Sequence, residues 1–273
     1  MTIFVAQHAR RADTEATAQA VLGDLERRVT SEASFVVLPE NVFACGDGTE
    51  VLPTRQSERY LERLAALAHS RGAYVLTGSW AQERADGPAQ VARLLGPDGS
   101  VRAEVTRPVL ADGTTGTGDD FPVVETEFGQ VGVLLGPDFW LVEPPRIECL
   151  AGAELLLVAG SLDAHAKDAQ RAAVWGIATL NTVAVAFAGA LSPTCAGGSA
   201  VAMPEGFVAE AGTDDGVFEA EWDLDRIRHL REPDLRFQET LWFGLWARRP
   251  DLYTSLVDAP GPKSGHAHAG RGV

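Results

Sequence analysis

Val131-Gly-Val-Leu-Leu-Gly-Pro-Asp-Phe-Trp140 decides how the rest of the chain is read. Its apolar run, Val131 to Leu135, has the composition of a buried strand, and Pro144-Pro-Arg-Ile-Glu-Cys-Leu-Ala151 beyond the turn reads as a helix. A strand that stops sharply before a helix presents its end at the C-terminal rim of a sheet, where α/β enzymes place nucleophiles. Here that position is Gly136, and Pro137 comes next. Glycine has no side chain to attack anything, and proline has no backbone N–H for a developing oxyanion. The frame is an enzyme's; the nucleophile is missing.

Upstream, Thr2 to Ala6 and Ser34 to Leu38 read as buried strands, the second ending in Pro39-Glu40. Asp13 to Val29 and Ser57 to Ser70 carry apolar residues at helical spacing, and Gly72 ends the second helix before a strand from Tyr74 to Gly78. Val91 to Leu95 and Val101 to Val105 flank the turn Gly96-Pro-Asp-Gly-Ser100; Pro122 to Thr126 and Gln130 to Leu135 repeat that pattern. Downstream, Leu155 to Val158 and Val183 to Ala188 are strands around a helix from Ala164 to Leu180. Ala200 to Met203 pairs with Phe207 to Glu210, then come a strand from Val217 to Ala220 and a helix from Leu224 to Leu230. This interleaving predicts an α/β fold with mixed sheets. No linker interrupts it, so one domain is expected over residues 1–257, with a mobile Gly-, Pro- and His-containing tail at 258–273. His266 and His268 belong to that tail and are read as unstructured rather than as metal ligands.

A chain of 273 residues with 45% hydrophobic and 22% charged residues has material for a core. Its net charge of −15, without a basic run, argues against nucleic acid and anionic membranes as partners. No apolar stretch reaches membrane-spanning length, and the first residues lack a secretory pattern. Cys45, Cys149 and Cys195 share no metal-type spacing, so neither a disulfide framework nor a bound metal or other cofactor is expected, and a cytoplasmic location is.

The order of segments resembles the nitrilase, or carbon–nitrogen hydrolase, superfamily over nearly the whole chain. The matching stretches are Val36-Val-Leu-Pro-Glu40, Leu95-Gly-Pro-Asp-Gly99, Phe121-Pro-Val-Val-Glu-Thr-Glu-Phe-Gly-Gln-Val-Gly-Val133 and Leu150-Ala-Gly-Ala-Glu-Leu-Leu-Leu157. Gly198-Ser199, Pro204-Glu-Gly206 and Arg248-Arg-Pro-Asp-Leu-Tyr253 follow in the family's order. The resemblance implies an αββα sandwich of two mixed sheets between helices. It also implies a homodimer or larger assembly, packed through the helix after position 136 and the helix from Ala164 to Leu180. Trp140, Trp175, Trp242 and Trp246 fall in regions that contribute to such contacts, although Trp242 and Trp246 also have the spacing of an ordinary core stripe.

In that family a glutamate is the general base, a lysine stabilises the tetrahedral intermediate, and a cysteine thiolate attacks a nitrile or amide carbon. The resemblance puts Glu40 at the base position, Arg107 at the lysine position and Gly136 at the cysteine position. Loss of a nucleophile alone costs on the order of 10⁶ in rate in a triad enzyme. Arginine keeps the charge, but with a pKa above ~12 it passes no protons near neutrality. The family's oxyanion donor is the N–H after the cysteine, which Pro137 lacks; losing one such donor costs roughly 3 kcal/mol. Asp112, in Leu110-Ala-Asp-Gly-Thr-Thr-Gly-Thr-Gly118, stands where a second acid helps in the family, but the stretch reads more simply as a loop. Asp138 keeps the family's acid two residues after the nucleophile and is read as a helix N-cap.

Glu40 and Arg107 are expected to lie within ion-pairing distance beside Gly136. Either they satisfy each other inside the pocket or together they grip a ligand. Cys45 and Cys195 are weighed as displaced nucleophiles and read as inert, because neither context supplies an activating base or cation; Cys149 is read as buried. The leading expectation is a pseudoenzyme of this fold, a binding or scaffold subunit that takes a small-molecule ligand or works beside a partner enzyme. The alternatives are a repurposed enzyme using Glu40 as acid or base on a ligand held by Arg107, and an ordinary amidase or nitrilase.

Overall fold

The computed structural model describes residues 1–45, 50–85, 87–109, 116, 120–232, 245 and 248–253, with backbone alone at 108 and 137. The first half runs β1 (Thr2–Gln7), α1 (Thr14–Arg28), β2 (Ala33–Val37), α2 (Thr54–Arg71), β3 (Tyr74–Arg84), β4 (Gly87–Leu95) and β5 (Val101–Pro108). The second runs β6 (Val123–Thr126), β7 (Gly129–Leu135), α3 (Gly136–Phe139), α4 (Glu143–Leu150), β8 (Leu155–Gly160), α5 (Lys167–Asn181), β9 (Ala184–Gly189), β10 (Ala200–Met203) and β11 (Gly206–Glu210). β12 (Gly216–Glu221) and α6 (Leu224–Leu230) follow.

Two six-stranded sheets result, ordered β12-β1-β2-β3-β4-β5 and β11-β10-β9-β8-β7-β6. Each has three parallel strands at its heart, β1-β2-β3 in one and β7-β8-β9 in the other, with antiparallel neighbours outside. Parallel strands covered on both faces need no polar alternation, which is why β2 and β8 are buried throughout. The mixed α/β architecture expected from the sequence is the one observed.

Three apolar clusters define the layers. Val5, Phe35, Val37 and Leu76 from one sheet meet Val133, Leu135, Leu157 and Ala186 from the other. Phe4, Val36 and Leu38 face Val21 and Leu25 of α1 and Leu64 of α2. Leu134, Leu156 and Val158 face Cys149 of α4 and Val174 and Ala178 of α5. The chain is an αββα sandwich.

Local chemistry sets the element ends. Asp13 caps α1 by accepting from Ala16 N at 2.7 Å, and Gly72 closes α2 at φ 66°. Several boundaries differ from the sequence reading: α2, β4 and β5 extend beyond the stretches read for them, and two further differences have a local cause. The helix expected from Ala164 begins as a 3-10 turn over Ala164–Ala166 before α5. The strand expected to end at Gly78 instead continues to Arg84, because Gly78 at φ 70° makes a bulge and pairing with β4 resumes at Ser79. Among the described residues no helix is long and apolar enough to cross a membrane. The tail at 258–273, Trp242 and Trp246 lie outside the described residues.

Candidate functional site

The bulge at Gly78 shapes the site's first wall. A Cβ on Gly78 would stand 2.3 Å from Pro39 O, so only glycine lets β3 approach the exit of β2 this closely. Ser79 N then donates to Pro39 O and Val42 N to Ser79 O, both at 3.3 Å, folding Pro39–Val42 into a turn. Asn41 takes the left-handed conformation at φ 52°, and Gln90 Nε2 fixes it by donating to Asn41 Oδ1 and Ser79 Oγ, each at 2.7 Å. This turn drives Glu40 inward, where its N–H donates to Gly160 O at 3.3 Å and joins the ends of the two central strands.

Glu40 is 5% exposed. Burial pushes its carboxyl up to about 8; the Arg10 charge opposes that rise, and the Asp138 charge adds to it. The group is a neutral carboxylic acid at neutral pH, and it accepts no hydrogen bond from a described residue. Its Oε2 lies 2.6 Å from the point where a Cβ on Gly136 would stand, so the acid occupies the place of the missing side chain. Ser161 N, following β8, lies 3.3 Å from the same point. Glu40 and Gly136 are brought together as the sequence reading expected.

Arg107 corrects that reading. Its fully buried guanidinium pairs with Asp138, itself fully buried, and not with Glu40. Nη1 also donates to Thr106 O at 2.8 Å and to Asp120 Oδ1 at 3.2 Å, and Nη2 donates to Asp120 O at 2.9 Å. The Phe121 ring covers the guanidinium, its centroid 5.5 Å away. Fully buried, and with four of its five N–H donors committed to protein acceptors, Arg107 is held as part of the frame. Asp138 is corrected with it: α3 starts at Gly136 with Leu135 as its cap residue, so Asp138 lies inside the short helix and serves as the counter-ion of Arg107. Position 137 lies within α3, and its lack of an N–H follows from proline itself. Asp112 lies outside the described residues.

The sequence reading missed a second buried acid. Glu148 of α4 is fully buried; its Oε1 accepts from Val133 N at 3.1 Å, and its Oε2 has no partner among the described residues. Burial pushes its carboxyl well above the usual carboxylate range, against the opposing hydrogen bond from Val133 N. A Cβ on Gly132 would fall 2.2 Å from that Oε2, and a glycine inside a buried strand was the one signal pointing to such a close approach.

The three thiols differ. Cys149 is buried, and desolvation pushes it up to about 12. Cys45 donates to Glu50 Oε1 at 2.9 Å, and that carboxylate holds the thiol in its protonated form. The burial of Cys149 matches the sequence reading. Cys195 is placed otherwise: it is partly exposed, and its Sγ lies 3.4 Å from Ser161 Oγ.

Known proteins share the sequence pattern and the fold. The sequence profile of the carbon–nitrogen hydrolase family matches residues 2–232. The omega-amidase of Xenopus tropicalis is 29% identical over 249 residues, covering 81% of this chain and 85% of that protein. A carbon–nitrogen hydrolase from Helicobacter pylori superposes with a TM-score of 0.80 at 22% identity, covering 95% of this chain and 99% of the other. A mutant amidase from Nesterenkonia sp., with the acetamide moiety of fluoroacetamide on its active-site cysteine, superposes with a TM-score of 0.73 at 20% identity, covering 93% and 96%. On this match the chain belongs to the carbon–nitrogen hydrolase family.

Proposed function

We propose that this protein keeps its family's amide-facing pocket without thioester chemistry at position 136, and acts as a binding or scaffold subunit for a short neutral amide. One observation carries the reading: the Glu40 carboxyl stands where the cysteine side chain would be, with its proton on. A neutral carboxylic acid donates and accepts one hydrogen bond each, which matches a carboxamide and leaves a carboxylate ligand uncompensated.

A second reading is favoured by the omega-amidase and amidase relatives. In it Glu40 passes protons to and from a water that attacks the amide carbon, and a carboxyl poised near 8 suits acid–base work near neutrality. Arg107 has no part in holding the ligand, because Asp138 and Asp120 already engage it.

The two readings separate by ammonia release from short carboxamides. The first expects none, from the natural chain or from Gly136→Cys, because Pro137 still withholds the oxyanion N–H. Turnover by the natural chain that disappears in Glu40→Gln establishes the second. Family-like turnover by Gly136→Cys overturns both accounts of what was lost.

Self-association belongs to the same proposal. Leu141, Val142, Ile147 and Leu150 at α4 and Trp175 and Leu180 of α5 are exposed, and Arg146 ties the two helices by donating to Leu180 O at 2.9 Å. An apolar face of this kind supports a homodimer packed through α4 and α5, or docking beside a partner enzyme. Sedimentation velocity reads it as a dimer mass; a monomer at micromolar concentration removes it.

A further inference from the structure

Arg10 and Glu40 stand at one rim although they leave different strands. Ala9, just beyond β1, makes a parallel bridge to Leu191, and Arg10 N donates to Leu191 O at 3.2 Å. Ala190 N donates in turn to Gly160 O at 2.9 Å, the carbonyl that also accepts from Glu40 N at 3.3 Å. A run of main-chain bonds therefore leads from Arg10 across the ends of β9 and β8 to Glu40. Arg10 is half-buried with its Nε covered, so the side chain is folded against the protein rather than extended into solvent. Among the described residues its charge and that of Asp138 act on the Glu40 carboxyl, in opposite directions.

One carboxylate brackets Arg10. Asp215, in the connection between β11 and β12, accepts through Oδ1 from His8 Nδ1 at 3.0 Å and Ala9 N at 3.3 Å, and through Oδ2 from Arg11 Nη2 at 2.7 Å. These contacts fall on both sides of residue 10. Burial holds the His8 imidazole below its usual range, so the ring is neutral near pH 7; its Nδ1–H is the donor, because a carboxylate can only accept. Asp24 of α1 faces the other ring nitrogen, its Oδ2 3.7 Å from Nε2, and is itself engaged by Arg27 and Arg28. Asp215 is anchored from behind. Gln7 Nε2 donates to Asp214 O at 2.8 Å and Gly212 O at 3.3 Å, and Gly216 pairs with Gln7 in the sheet.

We propose that Asp215 is a positioning residue for the Glu40 slot: by clamping the chain on both sides of Arg10 it holds that cation toward the acid. The proposal rests on the reading that the Glu40 carboxyl is the group a neutral amide meets. Only the protonated acid can donate to an amide oxygen, and a cation beside it favours the ionised form. The placement of Arg10 therefore sets the pH above which the slot loses its donor. Asp215 acts at one remove, through Arg10. Its own negative charge works on Glu40 in the opposite sense, so removing it separates the two routes by sign. Loss of a like charge alone would let Glu40 ionise more readily, whereas release of Arg10 makes ionisation harder.

The test follows the 13C resonance of the Glu40 carboxyl through a pH titration of the full chain, with and without propionamide, a short neutral amide. Arg10→Gln should raise the midpoint by at least about 0.5, roughly threefold in the ionisation constant, and extend the propionamide response to higher pH. Asp215→Ala should raise it in the same direction, and the double variant should go no further than Arg10→Gln alone. A midpoint unmoved in Arg10→Gln, or one that falls or stays in Asp215→Ala, overturns the clamp, as does a double variant whose shift is the sum of the two. If propionamide never moves the resonance while Asp215→Ala raises the midpoint, the amide reading falls and the clamp stands. If the amide moves the resonance and Asp215→Ala leaves the midpoint in place, the clamp falls and the amide reading stands.

Discussion

Arg107 and Glu40 border the same rim, and burial has been resolved differently at each. The guanidinium is fully covered and spends its donors on Asp138, Thr106 O and Asp120. The carboxyl is 5% exposed and accepts nothing from the described residues, so it folds by keeping its proton. A buried ion with its partners in place is part of the frame. A buried acid with unmet hydrogen bonds at the strand ends is where we propose that a ligand binds. The difference separates support from function in a site whose triad, read by position alone, treats the two as equals.

The largest expected effect lies on the supported side. Arg107→Met strands Asp138 as a buried charge and should cost about 3–5 kcal/mol in urea unfolding, with Asp138→Asn similar and the double mutant far less than additive. Small, additive losses would break the comparison by showing that the pair is not a unit.

The next effect is a pH slope. Folded Glu40 holds its proton to about 8, whereas an unfolded glutamate releases it near 4.5. Below that window both states are protonated. Within it unfolding releases a proton, so rising pH favours the unfolded chain; above about 8 the effect levels off. Stability should therefore fall by a few kcal/mol relative to Glu40→Gln as pH rises from 4.5 to 8. Parallel curves for the two proteins would mean that Glu40 is ionised when folded.

The smallest effect sharpens the Arg107 side. The Asp120 side chain is 56% exposed, so Asp120→Asn should cost under about 1 kcal/mol, because solvent screens that arm of the clamp. A loss as large as that of Asp138→Asn would place the clamp's weight at the surface instead.

The sequence makes the scaffold legible through periodicity and turn chemistry, and position 136 through what glycine and proline lack. The partner of Arg107 was hidden because it depends on where α3 begins. Starting the helix at Gly136 turns Asp138 from a cap into an inward-facing acid, and one residue of helix phase is beyond what apolar spacing resolves. Gly78 was read as a strand end for a related reason: a glycine in a strand pattern marks a stop or a bulge equally well, and only the resumed pairing with β4 decides. Ser161 and Glu148 gave almost no signal. One is a serine after an apolar strand, the other a glutamate on a helix, and each acquires its meaning only from the glycine of β7 or its exit that it approaches.

The central claim is that Glu40 is a neutral acid in the place of the missing side chain. A 13C-detected pH titration of the Glu40 carboxyl, assigned by its absence in Glu40→Gln, tests this most directly. The account predicts a midpoint near 8, with a resonance that shifts when propionamide is added at neutral pH. A midpoint in the ordinary range near 4.5, with no response to the amide, would contradict it.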